Sequence, residues 1–162
     1  MQSLFKEKYE DGSVYEGESR NGKRHGRGKI IYRDGRVFEG EFENGVAQGT
    51  GKIAYSSGKL CYEGGISGTS FEGQGVLQTE VPATFYGDFN YKDFRNLGKQ
   101  WLRYEGEFKG GNKHGTGSLY LSNGEKYTGE FRDDEVHGKG IFTLRDGRSI
   151  KGEWRHGVMQ TY

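Results

Sequence analysis

The chain repeats one short phrase: an aromatic residue, a glycine two positions on, an acidic residue next and, in most copies, a second aromatic. It is written YEGES from Tyr15, FEGEF from Phe38, YEGGI from Tyr62, FYGDF from Phe85, YEGEF from Tyr104, YTGEF from Tyr127 and, with an aliphatic first residue, IKGEW from Ile150. The starts lie 23, 24, 23, 19, 23 and 23 residues apart. A nearly fixed period of this length marks a repeat architecture, in which one supersecondary unit stacks on copies of itself because no unit can bury its apolar face alone.

Within one copy, Tyr15 to Val37, the residues Tyr15, Gly17 and Ser19 alternate with Glu16 and Glu18. That period of two predicts a strand with an aromatic face and an acidic face. A turn begins at Asn21-Gly22, Gly26 and Gly28 follow, and Ile30 and Tyr32, alternating with Lys29 and Ile31, predict a second strand ended by Asp34-Gly35. Each repeat is thus expected to be a β-hairpin with a turn into the next. The same offsets return Ile53 and Tyr55, Leu119 and Leu121, and Phe142 and Leu144 in the second strand. The glycine pair returns as Gly49 and Gly51, Gly73 and Gly75, Gly115 and Gly117, and Gly138 and Gly140. Glycine weakens a strand, so its fixed placement points to close backbone approach, tight bends or positive φ. At about 4.8 Å per strand, six and a half such hairpins would form a ribbon on the order of 60 to 65 Å long. The acidic face is expected to be solvated, since carboxylates of adjacent repeats about 10 Å apart repel by only ~0.4 kcal/mol in water.

The unit YEGE…NGKRHGRG…Y.DG closely resembles the MORN repeat. The resemblance runs from a half-repeat over residues 1–14, through copies starting at 15, 38, 62, 85 (short and irregular), 104 and 127, to a C-terminal half-repeat over 150–162. It implies an all-β fold: a single array over 1–162 built as an elongated, curved, single-layer antiparallel sheet of consecutive β-hairpins. It also implies a module that binds other proteins, and in some cases phospholipid, rather than a catalyst. A cytoplasmic setting in a cytoskeletal, ciliary or membrane-junction assembly follows from the same resemblance.

Composition narrows the function classes. A net charge of +1 gives no basic excess for nucleic acid. No stretch approaches the ~20 apolar residues of a membrane-spanning helix, and MQSLFKEKYE lacks the apolar core of a secretory signal. The single Cys61 favours a reduced, cytosolic protein. With 11 Tyr, 10 Phe and 2 Trp, the chain carries the apolar surface that disordered segments lack.

Chemistry-bearing patterns are absorbed by the repeat. His25, His114 and His137 occupy equivalent positions about 10 Å apart and cannot share an ion that needs nitrogens at ~2 Å. The segment Gly45 to Ile53 lacks the glycine and the Ser or Thr of a phosphate-binding loop, and no G-x-S-x-G elbow occurs. No catalytic residue, metal, cofactor or small-molecule substrate is expected, and the repeats leave no residues for a catalytic domain.

Three surfaces remain as candidates. The first is a groove formed by the aromatic row Tyr15, Phe38, Phe42, Tyr62, Phe85, Phe89, Tyr104, Phe108, Tyr127, Phe131 and Trp154, suited to an extended or helical peptide of a partner protein. The second is the stretch from Leu77 to Tyr104, where the pattern degrades around Pro82. Phe94, Arg95, Trp101 and Arg103 there either patch the sheet or form a partner contact. The third is the basic tip with Arg20, Lys23, Arg24, Arg27 and Lys29, which could engage anionic phospholipid at about 1 kcal/mol per basic residue. The leading expectation is a scaffold or adaptor; its rivals are a lipid-binding membrane adaptor and a regulatory subunit of an enzyme complex.

Overall fold

The structure is a computed structural model and describes residues 3–161. It is all-β, with strands pairing antiparallel to their chain neighbours. The chain divides into two compact units, Met1–Gly75 and Val76–Tyr162. The first holds β1 (Ser3–Lys8), β2 (Val14–Arg20), β3 (Lys23–Ile31), β4 (Val37–Glu43), β5 (Val46–Ala54), β6 (Leu60–Ser67) and most of β7 (Ser70–Gln78). The second holds a short 3-10 helix, η1 (Phe94–Asn96), then β8 (Trp101–Lys109), β9 (Asn112–Leu121), β10 (Lys126–Arg132), β11 (Glu135–Thr143), β12 (Ser149–Arg155) and β13 (Val158–Met159). Among the described residues no helix is long and apolar enough to cross a membrane.

The tight hairpins close on two residues at positive φ, Asn21 and Gly22 in the first repeat, a turn whose twist suits antiparallel strands; the β6–β7 turn uses Gly68 alone. The second strand therefore starts at Lys23, directly after the turn, and not at Lys29 as the alternation predicts. Gly26 and Gly28 lie inside it, with separate duties. Between Gly17↔Gly28 and Ser19↔Arg24 the register shifts, and Gly26 (φ +74) takes up the bulge. The same shift recurs after Gly40↔Gly51, Gly106↔Gly117 and Gly129↔Gly140.

Gly28 serves the aromatic. The Tyr15 ring lies flat on it, so a Cβ there would collide with the ring, and the Tyr15 hydroxyl donates to the Glu18 carbonyl at 2.6 Å. Tyr62, Tyr104 and Tyr127 repeat the bond, to the carbonyls of Gly65, Glu107 and Glu130. The aromatic-x-glycine phrase is thus the rule for seating a large ring on a bare backbone.

The acidic residue of the phrase is also structural, although its face is solvated as expected. Glu107 Oε2 accepts the Thr116 N–H at 2.6 Å and Glu130 Oε2 accepts the Lys139 N–H at 2.7 Å, pairing donors that the bulge frees.

The copy read at Phe85 forms no strand. Residues 79–100 contain only η1 and an isolated bridge from Asp93 to Val158, and Pro82 lies off the ladder, as its missing N–H requires. This stretch crosses the aromatic face of the second unit as a strap.

Candidate functional site

Both units present an aromatic face made from the same offsets. In the first, Tyr15, Phe38, Phe42 and Tyr62 are buried, and edge-to-face contacts link Tyr15 to Phe42 (5.3 Å) and Phe42 to Phe38 (5.5 Å). In the second, Tyr104, Phe108, Tyr127, Phe131 and Trp154 are buried and continue the edge-to-face pattern at 5.1 to 5.3 Å. Such pairs add about 0.5–1.5 kcal/mol beyond area burial.

What covers the two faces differs. On the second, the strap is pinned by its backbone: Ser122 Oγ donates to the Ala83 carbonyl (2.7 Å), Asn123 Nδ2 to that of Gly87 (3.0 Å) and Trp154 Nε1 to that of Tyr91 (2.8 Å). The N–H groups of Phe94 and Met159 donate to the carbonyls of Gly157 and Lys92, both at 2.8 Å. The fully buried Glu125 accepts the Phe89 N–H at 2.8 Å. Phe94 then packs against Tyr127, Phe142 and Trp154 with centroids 5.5 to 6.2 Å apart, and Phe89 and Tyr91 lie near Phe142.

The expected row is therefore corrected at two members. Phe89 is buried, but it belongs to the cover and not to the wall; Phe85 lies in the strap, outside any strand. Phe94, expected as a patch or a partner contact, patches the sheet. Arg95 stays exposed and pairs with Asp93, whose carboxyl is held near 2 by hydrogen bonds from the Arg95 side chain and backbone. Trp101 and Arg103 begin β8; Arg103 stacks on Tyr120 at 4.3 Å and pairs with Glu105 at 2.8 Å.

Among the described residues the first unit has no strap. Ile30 and Ile53 are half-buried, whereas the residues at their offset in the second unit, Leu119 and Phe142, are 2% and 0% exposed. A cavity of about 270 Å³ opens between Tyr32, Phe38, Ile53, Ile66 and Phe71. Its floor is firm: Tyr62 stacks on Phe71 at 3.7 Å, and burial, aided by nearby Glu72, pushes the Tyr62 hydroxyl up to about 12.

The basic tip divides between faces. Arg20, Lys23 and Arg27 are exposed, Lys29 pairs with Glu16 at 3.6 Å, and Arg24 turns onto the aromatic face above Tyr9, Tyr15 and Phe42. The histidines serve the stack: His25 and His137 each accept, through Nδ1, the N–H of the next hairpin tip, at Asn44 and His156. Among the described residues no group of three or more His, Cys, Asp or Glu could hold a metal.

The signals for the strap were present in the sequence as a lost period and a proline, but its path was not. Glu125 was the missed residue. It stands two positions before its repeat's aromatic, where other copies carry Ser13, Arg36 and Arg148, and that switch to a buried acid was the available sign.

A profile of the MORN repeat matches residues 15–35, 38–59, 104–126 and 127–147, together more than half of the chain. A comparison with curated proteins finds no match.

Proposed function

The chain belongs to the MORN repeat family, and from that premise we propose that it is a non-catalytic scaffold or adaptor whose first unit binds a segment of a partner protein. MORN repeats occur in scaffold and membrane-binding proteins. The observation that carries the scaffold reading is the contrast in cover. The same aromatic face is crossed in one unit by an extended segment of the chain, which leaves a cavity of about 310 Å³ beside Phe94 and Leu97, and in the other has no such segment over its cavity of about 270 Å³. A concave apolar surface with charged rims suits a peptide docking through side-chain pockets. The setting we assign is a cytoplasmic assembly of cytoskeletal or ciliary type. Phospholipid is the weaker reading, because the basic residues of the first tip do not share one face.

Panning a display library of random short peptides on the intact chain tests the proposal. Recovered peptides should bind roughly tenfold more weakly to Ile53→Ala, which removes cavity wall, and to Thr69→Trp, which plugs the rim from an exposed turn. Recovery of only peptides indifferent to both variants overturns it. If anionic vesicles bind the chain, with an affinity that fades as salt rises, while no such peptide is recovered, the lipid reading replaces it.

A further inference from the structure

The repeats beginning at Tyr15 and Tyr104 each hold a cation at the same place in the fold. Arg24 lies nine residues after Tyr15, and Lys113 nine after Tyr104. The carbonyl of each accepts an N–H from the tip of the next hairpin: Gly45 to Arg24 at 2.7 Å, Asp134 to Lys113 at 2.9 Å. In the covered unit the Lys113 ammonium lies 5.4 and 5.6 Å from the rings of Trp101 and Tyr104, and Asp134 supplies a carboxylate at 3.8 Å. In the open unit the Arg24 guanidinium lies 5.5, 5.9 and 5.4 Å from the rings of Tyr9, Tyr15 and Phe42, but the position of Asp134 is held by Gly45. The Gly45 carbonyl accepts from its Nη2, at 2.7 Å, and the Tyr9 hydroxyl hydrogen-bonds its side chain, but among the described residues no carboxylate forms an ion pair with Arg24.

A guanidinium carries five N–H donors in a planar fork that matches a carboxylate, and rings beneath it reduce its access to water. The carboxylate that its counterpart finds inside the molecule has no equivalent at Arg24 among the described residues. The ring of Phe42 under Arg24 lies 5.5 Å from Phe38, a wall of the open cavity, so the cation and the cavity lie within the span of a few residues of extended peptide.

We infer that the open face takes an extended peptide of a partner protein that sets an Asp or Glu side chain on Arg24 and an aromatic or aliphatic side chain in the adjoining cavity. The inference rests on the partner-segment reading above and states what that segment must carry. The strap offers an internal precedent. In Asp88-Phe89 and Asp93-Phe94 an acid directly precedes a buried ring.

The same panning tests it. Peptides recovered on the intact chain should carry an acid within a few residues of an aromatic or aliphatic side chain, and replacing that acid by its amide should weaken binding roughly tenfold. On the protein side, Gly45→Asp should weaken binding by a similar factor, since it gives Arg24 the internal partner that Lys113 has. Gly45 has φ +91, where most side chains are strained, but nothing lies within 4 Å of an added Cβ, aspartate is among the residues that tolerate positive φ best, and Asp134 adopts φ 72 at the equivalent place. This variant leaves the ring contacts of Arg24 in place, which Arg24→Gln does not. Peptides that weaken on Thr69→Trp but ignore both Gly45→Asp and loss of their acid overturn the inference and leave the groove reading standing. Recovery of only peptides indifferent to Thr69→Trp, or of none, overturns both.

Discussion

The two units obey one grammar and finish it differently. In both, the first aromatic of the phrase is fully buried: Tyr15 and Tyr62 on the open side, Tyr104 and Tyr127 under the strap, are each 0% exposed. That ring is seated by the glycines of its own repeat, which let it lie flat, and at Tyr127 the strap's Phe94 packs against it as well. The difference appears at the second-strand aliphatics and at the turn before the aromatic. Ile30 and Ile53 stay half-buried beside Ser13 and Arg36, whereas Leu119 and Phe142 are sealed beside Glu125. A solenoid repeat therefore supplies its own structural core and leaves a second apolar layer for whatever lies across it. In one unit that layer is crossed by the chain; in the other Ile30 and Ile53 stay half-buried.

The largest effect that bears on this contrast is expected from the strap's central anchor. Phe94→Ala should cost about 3–5 kcal/mol, the usual range for a buried phenylalanine, because Tyr127, Phe142 and Trp154 lose one common neighbour. Hydrogen exchange should show the loss in 104–159 with 14–67 unchanged. Equal loss of protection in both segments would break the contrast between a covered and an independent open unit. Next in size is the pair of equivalent turn residues. Glu125→Ala should cost about 1–3 kcal/mol, since the Phe89 N–H and the Asn123 amide lose their buried acceptor. Arg36→Ala, at the same offset but exposed, should stay within about 0.5 kcal/mol. Denaturation midpoints of the two variants measure the difference, and similar values would remove Glu125 from the role of latch.

How far the sequence carried this picture depends on whether a feature is repeated. Residues that recur at fixed offsets, such as Tyr15 with Gly28, disclose the hairpins and the aromatic face, because every copy states the same rule. The bulge was less legible. The period-two alternation does not count the extra residues opposite Glu18, so it starts the second strand too late and gives no sign of the acid's bond to the next strand. The strap was least legible: Phe89, Phe94 and Glu125 meet across 36 residues or fewer, with no local period to announce the meeting. Phe85 to Phe89 even imitates the repeat phrase. Eleven residues on, where other copies carry the first glycine of the pair, stands Asn96; no second strand forms to seat its ring, and its aromatics are free to fold over another hairpin.

The smallest effect tests the claim that the first ring is buried by its own repeat. The Tyr62 phenol titrates at about 12 in the folded chain against about 10 when unfolded. Between these values the unfolded state binds fewer protons, so the contribution of Tyr62 is complete below pH 10 and is lost as pH rises towards 12. Tyr62→Phe should cost about 1 kcal/mol at neutral pH, where the bond to the Gly65 carbonyl is missing, and should flatten the alkaline fall in stability. Tyr127→Phe should behave alike, since burial raises that hydroxyl too and its bond to the Glu130 carbonyl has the same geometry. Denaturant midpoints from pH 9 upwards compare the two. If only the strapped unit's variant flattened the curve, the strap and not the glycine shelf would be what keeps water from the ring. The division of labour between repeat and cover would then have to be redrawn.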